Sequence, residues 1–156
     1  MPQPVTAPQV RTETSHFGIC VTDLAASLRF YCDGLGFEPF ATYPIGTEYG
    51  KGLEVPGEID LTAQFIRKEG MTIELLHYRS PAVDGTPSNR RNIVGLTHIA
   101  FVADDVAATV AHLVACGGRV LEHTRTIVDM PAGRNELVFL EDPDGVRVEI
   151  GNSHAG

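Results

Sequence analysis

Two stretches of the chain, TSHFGICVTDLAAS at residues 14–27 and LTHIAFVADDVAAT at residues 96–109, are versions of one another. A shift of 82 residues places His16 on His98, Asp23 on Asp105, Leu24 on Val106, Ala25-Ala26 on Ala107-Ala108 and Ser27 on Thr109. A duplication constrains the fold strongly, because whatever one copy builds the other must build again. In each copy an alternating apolar run reaches an aspartate suited to capping a helix and continues with apolar residues at helical spacing. The pattern stops at glycines, Gly34 and Gly36 in the first copy and Gly117 and Gly118 in the second. Strand-like runs follow: FEPFATY, LTAQFIRK and MTIELLHY, then RVLEHTRTI, NELVFLE and VRVEIGN. Each copy therefore reads βαβββ.

Two such modules fit into 156 residues only if they share a core, since neither alone buries enough apolar surface. The expected organisation is a tail at 1–13, a first module at 14–79, a linker at 80–95 and a second module at 96–152, together one domain. The linker, SPAVDGTPSNRRNIVG, is rich in proline, glycine and polar residues and should be exposed. An apolar fraction of 43% with no run long enough to span a bilayer predicts a water-soluble protein with no membrane partner. The first residues lack the apolar run of a secretory signal, which makes the cytoplasm the expected compartment. A formal charge of −8 argues against nucleic acid as a partner. Cys20, Cys32 and Cys116 show no paired spacing and read as small buried hydrophobes.

Side chains alternate across a strand, so the pattern says which residues share a face. In the first strand Phe17, Ile19 and Val21 lie together, which leaves His16, Gly18 and Cys20 opposite. In MTIELLHY, Ile73 and Leu75 share one face while Thr72, Glu74 and Leu76 take the other. In the last strand Val146, Val148 and Ile150 oppose Arg147, Glu149 and Gly151. His16 and Glu74 thus stand on the first and last strands of one module, as His98 and Glu149 do in the other. Two imidazoles and two carboxylates form a set suited to one divalent ion, Zn, Ni, Co, Mn or Fe, with room for water or a substrate oxygen. The four are therefore candidate metal ligands at the centre of a cup built by both modules.

The stretches SHFGICVTDLAASLRFYCDGLGFE, MTIELLHY, GLTHIAFVADDVAATVAHLVACGG and NELVFLEDPDGVRVEIGN resemble the vicinal oxygen chelate superfamily, over about residues 14–152. That superfamily includes glyoxalase I, methylmalonyl-CoA epimerase, extradiol dioxygenases, and fosfomycin and bleomycin resistance proteins. The resemblance implies an α+β fold of two tandem βαβββ modules forming a curved mixed β-sheet cup. Its ligand positions fall on His16, Glu74, His98 and Glu149. It implies a metal-dependent lyase or an isomerase of the epimerase kind. Such an enzyme moves a proton next to a carbonyl, with a metal-stabilised enolate, on a small substrate with adjacent oxygens of the 2-oxo or thioester type. A ligand glutamate can carry the proton in glyoxalase-like members, which makes Glu149 or Glu74 the candidate catalytic base. Epimerases supply a second glutamate from the third strand, where this chain aligns Gln64, and a glutamine cannot carry a proton. Gln64 is expected to bind substrate instead.

Arg147, on the face of Glu149, is expected either to bind an acidic substrate group or to partner Glu149. His77, His112, His123 and His154 have no symmetric counterparts and stand outside the site. Residues 47–60, TEYGKGLEVPGEID, are long for a connection and rich in glycine, which suggests a lid. The resemblance also implies a homodimer. Two alternatives stand beside the lyase or epimerase: an extradiol-type dioxygenase, and a non-catalytic protein that sequesters a small molecule or antibiotic.

Overall fold

The computed structural model describes residues 11–131 and 133–153. Most of the expected tail, and His154, lie outside them. The first module runs β1 (Phe17–Cys20), α1 (Leu24–Leu28), a π-helical turn (Arg29–Gly34), β2 (Glu38–Gly46), a 3-10 turn (Thr47–Tyr49), α2 (Gly50–Leu53), β3 (Asp60–Lys68) and β4 (Met71–Ser80). The second runs β5 (Ile99–Val102), α3 (Val106–Ala115), β6 (Arg119–Met130), β7 (Gly133–Glu141) and β8 (Arg147–Gly151). The sheet orders are β1-β4-β3-β2 and β5-β8-β7-β6, the same topology twice. In each, the first and last strands pair in parallel and the remaining pairs are antiparallel. The chain is thus α+β with two curved mixed sheets, as the repeat requires.

The repeated aspartates act as the sequence predicts. Asp23 accepts from the Ala26 N–H at 3.0 Å and Asp105 from the Ala108 N–H at 2.9 Å, which satisfies a donor at each helix start. After α1 the chain widens into a π turn, where Leu35 N–H donates to the Phe30 carbonyl and Phe37 N–H to the Tyr31 carbonyl. The wider turn lets the adjacent Phe30 and Tyr31 both reach the interior, and both are fully buried.

One core serves both modules. Phe30, Tyr31, Ile73 and Leu75 from the first pack in the same cluster as Val110, Leu113, Val148 and Ile150 from the second. The helical segments make the junction: a Cβ on Gly118 would stand 2.6 Å from the Phe30 ring, so only glycine fits where the end of α3 meets that ring. Polar bonds cross the same seam, from Arg29 to the Ala115 carbonyl and between His112 and the Asp33 carbonyl.

The DPDG turn is wired to the first module. Asp142 is buried and accepts from Tyr31 Oη at 2.8 Å, from Asp144 N–H at 2.9 Å and from Val146 N–H at 2.8 Å. Burial pushes its carboxyl up, and these bonds pull it back. Tyr31→Phe deletes one of these donors. It should cost about 1–3 kcal/mol, measured as a lowered urea midpoint at an unchanged slope.

One expectation changes: Cys20 is exposed rather than buried, because alternation puts it on the outer face of β1 with His16. Residues 47–60 fold into the 3-10 turn and α2, closed by Ile59 N–H donating to Thr47 Oγ1 at 3.0 Å. No helix among the described residues is long and apolar enough to cross a membrane.

Candidate metal centre

Each module places its histidine one residue before its first strand and its glutamate on the last strand, both on the face turned away from the core. His16 Nε2 stands 3.3 Å from Glu74 Oε2, and His98 Nε2 stands 3.3 Å from Glu149 Oε2. Two ligands of one ion, bonded at about 2.1 Å and at the tetrahedral angle, would lie roughly 3.4 Å apart. The spacing therefore suits two donors that share a cation as well as it suits a direct contact.

The surroundings of the two pairs also repeat. Ser15 Oγ is 2.8 Å from His16 Nδ1, and Thr97 Oγ1 is 2.9 Å from His98 Nδ1. With Nδ1–H donated to the hydroxyl, the Nε2 lone pair is left facing the carboxylate, the tautomer a metal ligand needs. Phe65 meets the His16 ring edge-on at 5.2 Å, and Phe139 meets His98 at 5.3 Å. These two rings are opposite the glutamates in the strand ladders, Phe65 to Glu74 and Phe139 to Glu149. Sequence reasoning missed all four supporting residues. The signals were present: a hydroxyl residue precedes each repeated histidine, and a phenylalanine precedes each glutamate by nine or ten positions across a glycine-containing hairpin.

The histidines and glutamates come together as two pairs, one per module. Among the described residues of the chain, no group of three or more His, Cys, Asp or Glu side chains is gathered as a metal site. Both pairs are partly open: His16 and His98 side chains are 37% and 34% exposed, which leaves the Nε2 side approachable. Exposed Phe40 and Tyr43 flank Phe65 on the first sheet, and Val102 is exposed on the second.

Two assignments need correction. Gln64 is paired with Leu75 in the ladder, not with Glu74, so it belongs to the face opposite the His16 pair. Its amide is only 8% exposed and is occupied by Thr42 Oγ1 at 2.6 Å and by the Ala41 and Phe65 carbonyls. It can neither contact a ligand at His16 nor mark the place of a second base; the third-strand residue beside the pair is Phe65. Arg147 does not pair with Glu149. It is bound to Glu141 across the β7–β8 hairpin and to the Gly145 carbonyl, and Glu141 also takes Arg119. Arg147 lines a cavity of about 410 Å³ that His98, Cys20 and Arg91 also line. Although Cys20 is exposed as a residue, partial withdrawal of its sulfur from water and then the nearby Asp144 carboxylate push the thiol up, so it is not an activated nucleophile.

The chain belongs to the glyoxalase/bleomycin resistance protein/dioxygenase superfamily, whose family model matches residues 14–150. It is 33% identical over 139 residues to the uncharacterized protein YaeR of Escherichia coli, covering 88% of this chain and 94% of that one. It is 31% identical over 135 residues to the lactoylglutathione lyase of Haemophilus influenzae, covering 86% and 88%. Its fold matches the Listeria monocytogenes fosfomycin resistance protein FosX, solved with Mn(II) and sulfate, at a TM-score of 0.59 and 16% identity, over 94% of this chain and 96% of that one.

Proposed function

We propose that the protein is a divalent-metal-dependent lyase that moves a proton between the two carbons of a small substrate with adjacent oxygens. The observation that carries this reading is the duplicated His–Glu pair with duplicated support: hydroxyl on Nδ1, aromatic edge on the ring, carboxylate at 3.3 Å from Nε2. Two neutral imidazoles and two carboxylates fit a dication in charge and in donor type. When bound, such an ion polarises a substrate carbonyl and stabilises negative charge on its oxygen. The chain's own part is to take the proton from carbon on a glutamate carboxylate and return it to the neighbouring carbon. The 31% identity to a lactoylglutathione lyase supports a lyase. The core-side placement of Gln64 leaves the first module without a third-strand base, which disfavours the two-base epimerase.

Each chain offers two donors at each of two places, so we place the complete four-donor set across two copies, the first module of one facing the second module of the other. Exposed Phe40, Tyr43 and Val102 on the His-bearing faces suit contact with a second chain. A species of about 34 kDa, twice the 16.8 kDa chain, is expected by light scattering.

Complementation tests the crossed site. A His16→Ala chain and a His98→Ala chain each lack a ligand in every site. A mixed dimer of the two has one site with both defects and one with neither. Refolding the two variants together should therefore restore metal and turnover to about one site per mixed dimer, whereas a site within one chain would recover nothing. The reaction itself is tested on the hemithioacetal of a 2-oxo aldehyde and a thiol. Metal-dependent conversion to the 2-hydroxy thioester is expected, and metal-loaded protein that leaves the hemithioacetal unchanged would overturn the lyase.

A further inference from the structure

The two modules are related by an internal two-fold. Arg29 donates to the Ala115 carbonyl at 2.6 Å and His112 Nε2 donates to the Asp33 carbonyl at 2.9 Å. The shift of 82 residues that sets Asp33 on Ala115 brings Arg29 to within one residue of His112, so each tie is the other's image. Two clefts repeat with them. One runs along β1, between Gly18, Ile19 and Cys20 and the β7–β8 turn at Asp144 and Val146. The other, of about 300 Å³, runs along β5, between Ala100, Phe101 and Val102 and the β3–β4 turn at Glu69 and Met71. The same shift carries Gly18-Ile19-Cys20 onto Ala100-Phe101-Val102, and β1 and β5 are corresponding edges of their sheets.

The clefts differ in what lies over them. Residues 83–88 of the linker, which leads into β5, line the cleft along β1. The Pro87 ring lies 3.7 Å from the place a Cβ on Gly145 takes, so the linker rests on the β7–β8 turn. Gly70 is the matching glycine of the β3–β4 turn, at φ 83° where Gly145 has 94°. Among the described residues nothing stands within 4 Å of its Cβ position. The second seat is open, and its walls are apolar: Phe37, Met71, Phe101 and Val102, of which Val102 is 44% exposed. The Phe37 and Phe101 rings meet edge-on at 6.0 Å across it. An uncovered apolar sheet edge favours the packing of further chain.

Under the two-fold, the counterpart of the linker is the segment that leads into β1. Shifted by 82, linker residues 83–92 fall on residues 1–10, MPQPVTAPQV, directly before the first described residue, Arg11. The counterpart of Pro87 is Val5, with Pro4 one place away. Arg91, whose guanidinium donates to the Thr97 carbonyl and folds the linker back, has Gln9 as its counterpart, which also carries a side-chain donor. The segment has no charged side chain, and Pro4, Val5, Pro8 and Val10 match apolar walls. Prolines restrict the free chain and so lower the entropy lost on docking. Ten residues in the extended form that prolines favour reach about 30 Å, roughly the width of a small domain.

We propose that residues 2–10 seat in the cleft along β5 of their own chain, over Phe101 and Val102 and against the β3–β4 turn, as the linker seats along β1. The seated segment covers the open edge of the strand that begins one residue after His98. A second chain that approaches this face meets the segment together with Val102. The seat itself requires neither metal nor a second copy.

The test places a nitroxide spin label on Gln3→Cys in the full chain, with Cys20 and Cys32 changed to alanine, and compares amide resonances before and after the nitroxide is reduced. Those of Gly70, Met71, Phe101 and Val102 should lose more than half of their intensity, and more than those around Gly18 and Gly145. Loss confined to residues 11–17, or spread evenly over the surface, would overturn the proposal. Val102→Asp, at a half-exposed position, should restore the intensities, and broadening that persists in that variant overturns it too. Should the variant fail to fold, the pattern in the parent chain decides. Mixing spin-labelled chain with isotope-enriched chain that has no label identifies a second copy as the occupant: broadening seen only between chains overturns the seat within one chain. The signal is read against the reduced sample whatever the metal content, so this seat and the four-donor site fail independently.

Discussion

Alanine at His98 is expected to leave the purified protein without stoichiometric divalent metal. In the proposed site His98 is one of four donors, and its Nδ1 is already engaged by the Thr97 hydroxyl 2.9 Å away, which aligns the ring. Loss of a residue that merely orients a ligand typically weakens metal binding about 10–100-fold, and loss of the ligand itself should exceed that. The change should hardly affect folding: the side chain is a third exposed and lies outside the shared core, where substitutions usually shift stability by about 0.5 kcal/mol or less. Metal content per chain after dialysis, beside the urea midpoint, reads the two effects separately. Full occupancy in a folded His98→Ala protein would show that the pair is a structural contact. His16→Ala should behave alike, because its surroundings are the same.

The symmetry that motivates this expectation was legible in the sequence, since a repeat with a histidine in register and strands of clear alternation fixes which residues are equivalent and which face they take. What the repeat cannot express is how two equivalent modules are placed against each other. A face-to-face cup and a packing through the helices use the same strands and the same four donors. The choice falls to contacts such as the Phe30 ring over Gly118, where the absence of a side chain matters more than any pattern.

Register was the second gap. In LTAQFIRK, Ala63 and Gln64 are both buried, so strict alternation fails at the point where the face had to be decided. The β3–β4 ladder runs in unbroken register from Lys68 and Met71 at the hairpin to Leu61 and Tyr78, and this puts Phe65 rather than Gln64 opposite Glu74. Arg147 illustrates a third. A shared face with Glu149 was readable along one strand, but its partner Glu141 lies opposite it on the neighbouring strand.

That pairing bears on the proton. With Arg147 held by Glu141, the side chain that faces Glu149 among the described residues is His98, 3.3 Å away. Glu149→Gln keeps the shape and an oxygen donor but cannot accept a proton. Turnover should fall by about 10²–10⁴, the usual worth of a positioned general base, while the substrate dissociation constant changes by no more than a few-fold. A loss confined to substrate affinity would make Glu149 a binding residue. Wild-type turnover with metal bound would move the base to Glu74, the equivalent carboxylate of the other module, which the symmetry of the site makes the next group to replace.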